Sequence, residues 1–235
     1  MNRNYEIPRT ALSATEFAAR TDIAHAGNCR GNADVFQRIA ISGVTLENKN
    51  ITRSEFQYSS FTDVTFSGVN FEGAEFDFAV FERVQFISCN LNRSSFDFSQ
   101  MTGVTFQNCN LTSSSFDFAS GKISIENSIL QGTEFHHTAA ALQLNGCSGE
   151  RVELNFCPAL HIRAENCDFH RGCFVDSTFF GTMTRCIFTD ADFYGSNGEN
   201  LEFEECSMRE INTEDSTGIL IKNDDEDDDF DLDFD

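Results

Sequence analysis

Asp77, Asp97 and Asp117 stand twenty residues apart, each directly after a phenylalanine, while Glu55 and Glu75 each stand directly before one. Carboxylates at a fixed interval do electrostatic chemistry: they present like charge at regular spacing to a basic surface. Tyr58, Phe78, Phe98 and Phe118 repeat at the same interval and offer an apolar strip. Seven of the nine cysteines (Cys89, Cys109, Cys147, Cys157, Cys167, Cys186 and Cys206) stand two residues before an apolar position, and read as small buried thiols. Three pairs of them, 89/109, 147/167 and 186/206, should stack. Their side chains would point the same way rather than at each other, which disfavours a disulfide. No Cys-x-x-Cys occurs. His136-His137 reads as a surface pair, with no carboxylate or cysteine cluster spaced to join it. Phosphate loop, nucleophile elbow and dinucleotide fingerprint are all missing. The expectation is no enzyme, no metal and no cofactor.

Positioning these residues is the task of an unusual repeat. From Phe36 to Phe116 every fifth residue is apolar, through Ile41, Leu46, Ile51, Phe56, Phe61, Phe66, Phe71, Phe76, Phe81, Phe86, Leu91, Phe96, Met101, Phe106 and Leu111. A period of five fits neither an amphipathic helix nor a simple strand, so it marks an internal repeat. Two residues before most of these centres comes a small or β-branched residue, such as Val64, Ala74, Val84 or Ser94. In extended chain, residues two apart share a side. Each unit therefore sends one small and one large side chain inward, points the residue between them outward, and turns a corner with the last two. A longer period sets the number of corners. Phe-Asp-Phe at 76–78, 96–98 and 116–118, and Cys-Asn-Leu at 89–91 and 109–111, recur after twenty residues. Four sides of five make a square coil, with identical residues stacked one rung apart at roughly 4.8 Å. The result is a β-solenoid cored by phenylalanine columns, in which each coil contacts only its neighbours.

A five-residue unit with a bulky apolar centre and a small residue two before it resembles the pentapeptide-repeat family. Asn70, Asn90, Asn110, Asp168 and Asp192 match the family's preference for Asp or Asn before the centre. Elsewhere Thr, Glu or Ser takes that place. The resemblance implies an all-β fold, a right-handed quadrilateral parallel β-helix. It also implies a link to the acidic, DNA-like members that act on DNA gyrase, a type II topoisomerase.

The expected organisation is an N-terminal cap segment over 1–35, a β-helix over 36–211, a C-terminal cap over 212–223 and a disordered acidic tail over 224–235. Ser13-Ala14-Thr15-Glu16 resembles a capping box before a short helix with Phe17, Ala18 and Ile23 on one side. Phase breaks at Gly121-Lys122, and the centres resume one residue early at Ile125. Another loss precedes Leu144 and Leu154, and a third precedes Phe188. The helix is therefore expected to be irregular over about 120–165. Poor centres at Gly149, Ala159 and Ala164 predict a thin core or distorted face over about 136–165.

The net charge is −22, and the tail holds nine of the 38 acidic residues. Residues 1–223 still carry 29 acids against 16 bases. So acidic a body disfavours direct binding of nucleic acid or an anionic membrane and favours a basic protein surface. No apolar run is long enough to span a bilayer and no secretory signal is evident. The chain reads as made soluble in the cytoplasm, which is compatible with later export by a machine that needs no such signal.

Two functional readings follow. In the first, the face bearing Glu55, Glu75, Asp77, Asp97 and Asp117 is a phosphate mimic. Its rungs offer a charge about every 4.8 Å, against about every 3.4 Å for one DNA strand. Arg53, Arg83 and Arg93 dilute it, and the plain alternative is a solvated polar face. In the second, the chain is a scaffold or secreted effector. It would bind partners through the strip Tyr58, Phe78, Phe98 and Phe118, and through Phe230 and Phe234 of the tail. The strip should be covered by the N-terminal segment, by a second copy in a homodimer, or by the functional partner.

Overall fold

The structure is a computed structural model and describes residues 9–25 and 36–219. It is built on a turn that recurs every five residues. Arg53, Tyr58 and Asp63 have φ of 54°, 62° and 54°, and further along Phe78, Arg83, Arg93 and Phe98 lie between 53° and 60°. One left-handed residue per side swings the chain through a corner, so extended segments of a few residues close into a coil.

Hydrogen bonds then run between coils. On one side, the amide nitrogens of Phe56, Phe76 and Phe96 donate to the carbonyls of Glu75, Ser95 and Ser115 at 2.7, 2.7 and 2.8 Å. Parallel pairs Asn50↔Asn70, Glu55↔Glu75, Phe61↔Phe81 and Phe66↔Phe86 mark four separate ladders within twenty residues. The coil is thus four-sided.

The first described elements close the N-terminal end. Strand β1 (Thr10–Ala11) pairs in parallel with β2 (Ile39–Ser42), with Thr10 opposite Ile39. Helix α1 (Ala14–His25) starts with a capping box. The Ser13 amide donates to Glu16 Oε2 at 2.9 Å, and the Glu16 amide donates back to Ser13 Oγ at 3.2 Å. Phe17 is fully buried, edge-on to Phe36 at 6.0 Å, and Leu12 is buried beside it. Then come the short strands β3 (Thr45–Glu47), β4 (Ser60–Thr62), β5 (Thr65–Ser67), β6 (Val80–Glu82) and β7 (Gln85–Ile87).

Inward positions hold the predicted pattern. Phe36, Phe56, Phe76, Phe96, Phe116 and Phe135 stack face to face at 4.7–4.9 Å. Neighbouring columns meet them edge-on, as Phe66 meets Phe71 at 5.1 Å and 90°. Identical rings stacked one rung apart and crossed rings between faces are both favourable aromatic arrangements. At three inward serines the hydroxyl finds a carbonyl three residues back: Ser54 to Ile51, Ser94 to Leu91 and Ser114 to Leu111, each at 2.7 Å.

The coil changes character at residue 100. Two short strands fuse into one long one, giving β8 (Gln100–Gln107), β9 (Ser120–Glu126), β10 (Ala139–Asn145), β11 (Leu160–Glu165), β12 (Thr178–Thr184) and β13 (Asn197–Glu204), each paired in parallel with the next. A bulge between Thr102 and Val104 absorbs the first lost residue. Gly121 is required there, at φ 109°, because a Cβ would lie 1.9 Å from the Met101 carbonyl oxygen.

The expected thin region at 136–165 is instead well paired and well filled. Pro158 and Ala159 face outward, and Leu160 supplies the inward side chain. At Gly149 the Phe169 ring takes up the room, 3.1 Å from where a Cβ would stand. At the far end Ile219 packs against the last coil, with its Cδ1 in the space left by Gly198. Leu220, Ile221 and the acidic tail lie outside the described residues.

Candidate functional site

One side of the solenoid gathers most of the chemistry. Its outward positions form two parallel columns, one before and one after the phenylalanine stack. The column before runs Glu55, Glu75, Ser95, Ser115, Glu134, Glu153. The column after runs Gln57, Asp77, Asp97, Asp117 and then His136, tied rung to rung by backbone and side-chain bonds.

The aspartates are half-buried and organised. Asp77 Oδ1 accepts from the Ser95 hydroxyl and, at 3.3 Å, from the Asp97 amide. Asp97 Oδ1 likewise accepts from the Ser115 hydroxyl and from the Asp117 amide at 3.0 Å. Asp117 Oδ1 accepts from the His136 amide at 2.9 Å. Each rung therefore fixes one oxygen of the carboxylate below it. Glu55 takes a bond from Gln37 Nε2 at 2.6 Å, and Glu75 one from Gln57. Burial pushes the Asp97 carboxyl above its ordinary value. Burial, then the charges of Asp77 and Glu55, do the same for Glu75.

Glu134, Glu153 and His136 were missed by sequence reasoning, and they correct it. His136 does meet a carboxylate cluster: its Nε2 lies 3.0 Å from Glu153 Oε2 and its Nδ1 3.4 Å from Asp117 Oδ2. The available signal was the shortened coil, which places His136 nineteen residues after Asp117. Arg53 and Arg93 turn at the corner before this side, whereas Arg83 turns at another and is paired with Asp63 at 2.6 Å.

The corner after this side carries a continuous aromatic file. Tyr58, Phe78, Phe98 and Phe118 stack at 4.8–5.0 Å, and His137 and Phe156 extend the file at 4.7 and 5.5 Å. Phe78, Phe98 and Phe118 are 42–46% exposed. The described part of the N-terminal segment does not cover them. Leu12 and Phe17 turn into the end of the solenoid, and at the file only Arg9 reaches over, donating from Nε to the Tyr58 carbonyl at 2.7 Å. Arg38 stands over the Tyr58 ring at 5.6 Å. Phe230 and Phe234 lie outside the described residues.

On the adjoining side the cysteines form one file rather than three pairs. Cys89, Cys109, Ser128, Cys147, Cys167, Cys186 and Cys206 occupy successive rungs, each just before a residue of the bridged series Asn90, Asn110, Ile129, Ser148, Asp168, Ile187 and Ser207. Thiols donate to carbonyls of the preceding coil, Cys89 to Phe66 at 3.4 Å and Cys109 to Phe86 at 3.3 Å. Cys157, on another face, does the same to Phe135 at 3.0 Å. The eight described cysteines are free.

Four-sided coils, stacked rings and left-handed corners every five residues define a parallel β-solenoid with regular outward columns. A family model described as the pentapeptide repeat region matches residues 39–116 and, overlapping, 59–138, which identifies that stretch of the chain as pentapeptide repeats. No curated protein sequence matches it. Among solved structures it is similar to QnrB1, a plasmid-mediated fluoroquinolone resistance protein, at 16% identity over 75% of this chain and 90% of that one, with a TM-score of 0.35. It is also similar to HetL from the cyanobacterium Nostoc sp. strain PCC 7120, a pentapeptide-repeat protein involved in heterocyst differentiation regulation. There the identity is 12% over 87% of this chain and 96% of that one, with a TM-score of 0.25. Among the described residues no helix is long and apolar enough to cross a membrane.

Proposed function

We propose that this chain is a non-enzymatic binding rod whose carboxylate side occupies a basic, nucleic-acid-binding surface of another protein. The observation that carries this reading is the way Asp77 and Asp97 are held. Their Oδ1 atoms are fixed by the next rung, and their Oδ2 atoms are left for an outside donor. Stacked like charges cost stability, and here they are kept in place at the ring-stack spacing of 4.8–4.9 Å. Preorganised charge of this kind suits arginine and lysine side chains that otherwise grip phosphates. The resemblance drawn from the sequence makes a type II topoisomerase the first partner to test.

The test is competition. Purified topoisomerase should bind the rod, duplex DNA should displace it, and the affinity should fall steeply as salt rises. Replacing Asp77, Asp97 and Asp117 together by Asn should weaken binding and flatten the salt slope. Unchanged affinity and slope in the triple variant remove this side from the reading.

A second reading, a scaffold that docks partners through the aromatic file, rests on the exposure of Phe78, Phe98 and Phe118 on left-handed corners. Bulky residues seldom adopt that backbone, so their presence at consecutive corners is costly without a use. Phe78→Ser with Phe98→Ser should leave the circular dichroism of the coil intact and abolish the complex or a homodimer. Loss of the fold would make these rings core and end the reading.

A further inference from the structure

The shortened coil after Phe116 puts an imidazole where the preceding rungs carry aspartate. One donor atom each from Asp117, Glu134 and His136 lie within 4.8 Å of one another. What sets this group apart from the rest of the acidic side is that both nitrogens of the ring are placed. His136 Nδ1 stands 3.4 Å from Asp117 Oδ2. That is long for a hydrogen bond. It is the separation expected of two donors about 2.0–2.1 Å from a single ion at the tetrahedral angle.

His136 Nε2 stands 3.0 Å from Glu153 Oε2. An outer carboxylate on the far nitrogen is what fixes the tautomer of a metal-bound histidine and frees the other lone pair. Asp117 is held as well: its Oδ1 accepts the His136 amide at 2.9 Å, which leaves Oδ2 facing the ring. Glu134 has no hydrogen-bond donor among the described residues. Its carboxylate lies beside the Asp117 and His136 donor atoms, so a cation there would neutralise neighbouring carboxylates.

We propose that Asp117, Glu134 and His136 bind a divalent transition metal ion of the zinc class, with Glu153 as the outer carboxylate that orients the imidazole. An imidazole among carboxylates selects such an ion over magnesium or calcium, which prefer oxygen alone. The site shares Asp117 with the proposed DNA-mimic side, but His136 and Glu153, on which its test turns, play no part in that reading.

Equilibrium dialysis of the untagged full chain against zinc tests it, with excess magnesium to occupy carboxylate-only sites. The expected result is one equivalent of zinc bound by the wild type, lost in His136→Gln and held about 10–100-fold more weakly in Glu153→Gln. Nitrogen chemical shifts of the wild-type His136 ring give a second readout: zinc should move Nδ1 far more than Nε2. Equal zinc uptake by His136→Gln, no uptake by the wild type, or an Nε2-centred shift overturns the proposal.

Discussion

Two polar ladders climb adjoining sides of the solenoid, and they solve the same stacking problem differently. On one, Asn70, Asn90 and Asn110 each donate from Nδ2 to Oδ1 of the asparagine one coil below, at 2.9, 2.9 and 3.4 Å. The Oδ1 atoms of Asn70, Asn90 and Asn110 also accept the amides of Glu72, Asn92 and Thr112 at 3.1–3.2 Å. An amide both donates and accepts, so that ladder closes on itself. A carboxylate only accepts. Asp77 and Asp97 therefore borrow donors from Ser95, Ser115 and the next amide, and the charges remain stacked. The asparagine ladder is explained by stability alone. The aspartate ladder is not, and the proposed partner would supply the donors it lacks.

Three substitutions break or sharpen that contrast. The largest effect should come from beneath the charged ladder. Phe96 is fully buried between Phe76 and Phe116, and Phe96→Ala should cost about 3–5 kcal/mol in urea unfolding. A cost near the surface range of about 0.5 kcal/mol would mean the ring stack is not the spine of the coil. Next comes Asn90→Asp, which removes the donor to Asn70 Oδ1 and puts a charge into the neutral ladder. It should destabilise by about 1–3 kcal/mol, and no loss would erase the distinction between the two sides.

The smallest effect is Asp97→Asn, which should stabilise by no more than about 1 kcal/mol at neutral pH. Its sign follows from linkage. Burial raises the Asp97 carboxyl in the folded state. A group with a raised folded pKa favours folding when protonated, and that contribution is lost as pH rises through the folded value. The advantage of asparagine should therefore be present at about pH 7 and shrink as pH falls toward the carboxylate range. Urea midpoints of both proteins across that interval check it, and an advantage that grows in acid contradicts the assignment.

Stacking made the architecture legible. Ring columns tolerate no drift in phase, so Phe56 to Phe116 announced both the five-residue side and the twenty-residue coil. The outward places of Asp97 and Phe98 followed from the same arithmetic. What was illegible depended on the rung above. Ser115 as the donor to Asp97 depends on side-chain rotamers that periodicity does not give, and His136 as the successor of Asp117 depends on the length of its individual coil, which a single-residue loss changes. Ala159 misled for the same reason: a bend at Pro158 and Ala159 shifted the inward place to Leu160. The strain at Phe78, Phe98 and Phe118 was also hidden, because periodicity marks a corner without giving its φ.

The file of thiols has a consequence for redox chemistry. Successive cysteines in register present parallel Cβ–Sγ bonds, whereas a disulfide needs them crossed near a right angle. Burial pushes even the off-file Cys157 thiol up to about 11, away from its reactive form. Two thiols of the file go the other way: the neighbouring Cys89 thiol lowers the buried Cys109, and at the last rung Cys186 brings the half-buried Cys206 down to about 7. Moving between reducing and oxidising surroundings would leave the covalent structure of the stack as it was. The same file serves as a built-in gauge of integrity: an alkylating reagent reaches Cys206 while the coils are closed, and reaches Cys89, Cys109 or Cys147 only once a coil has opened.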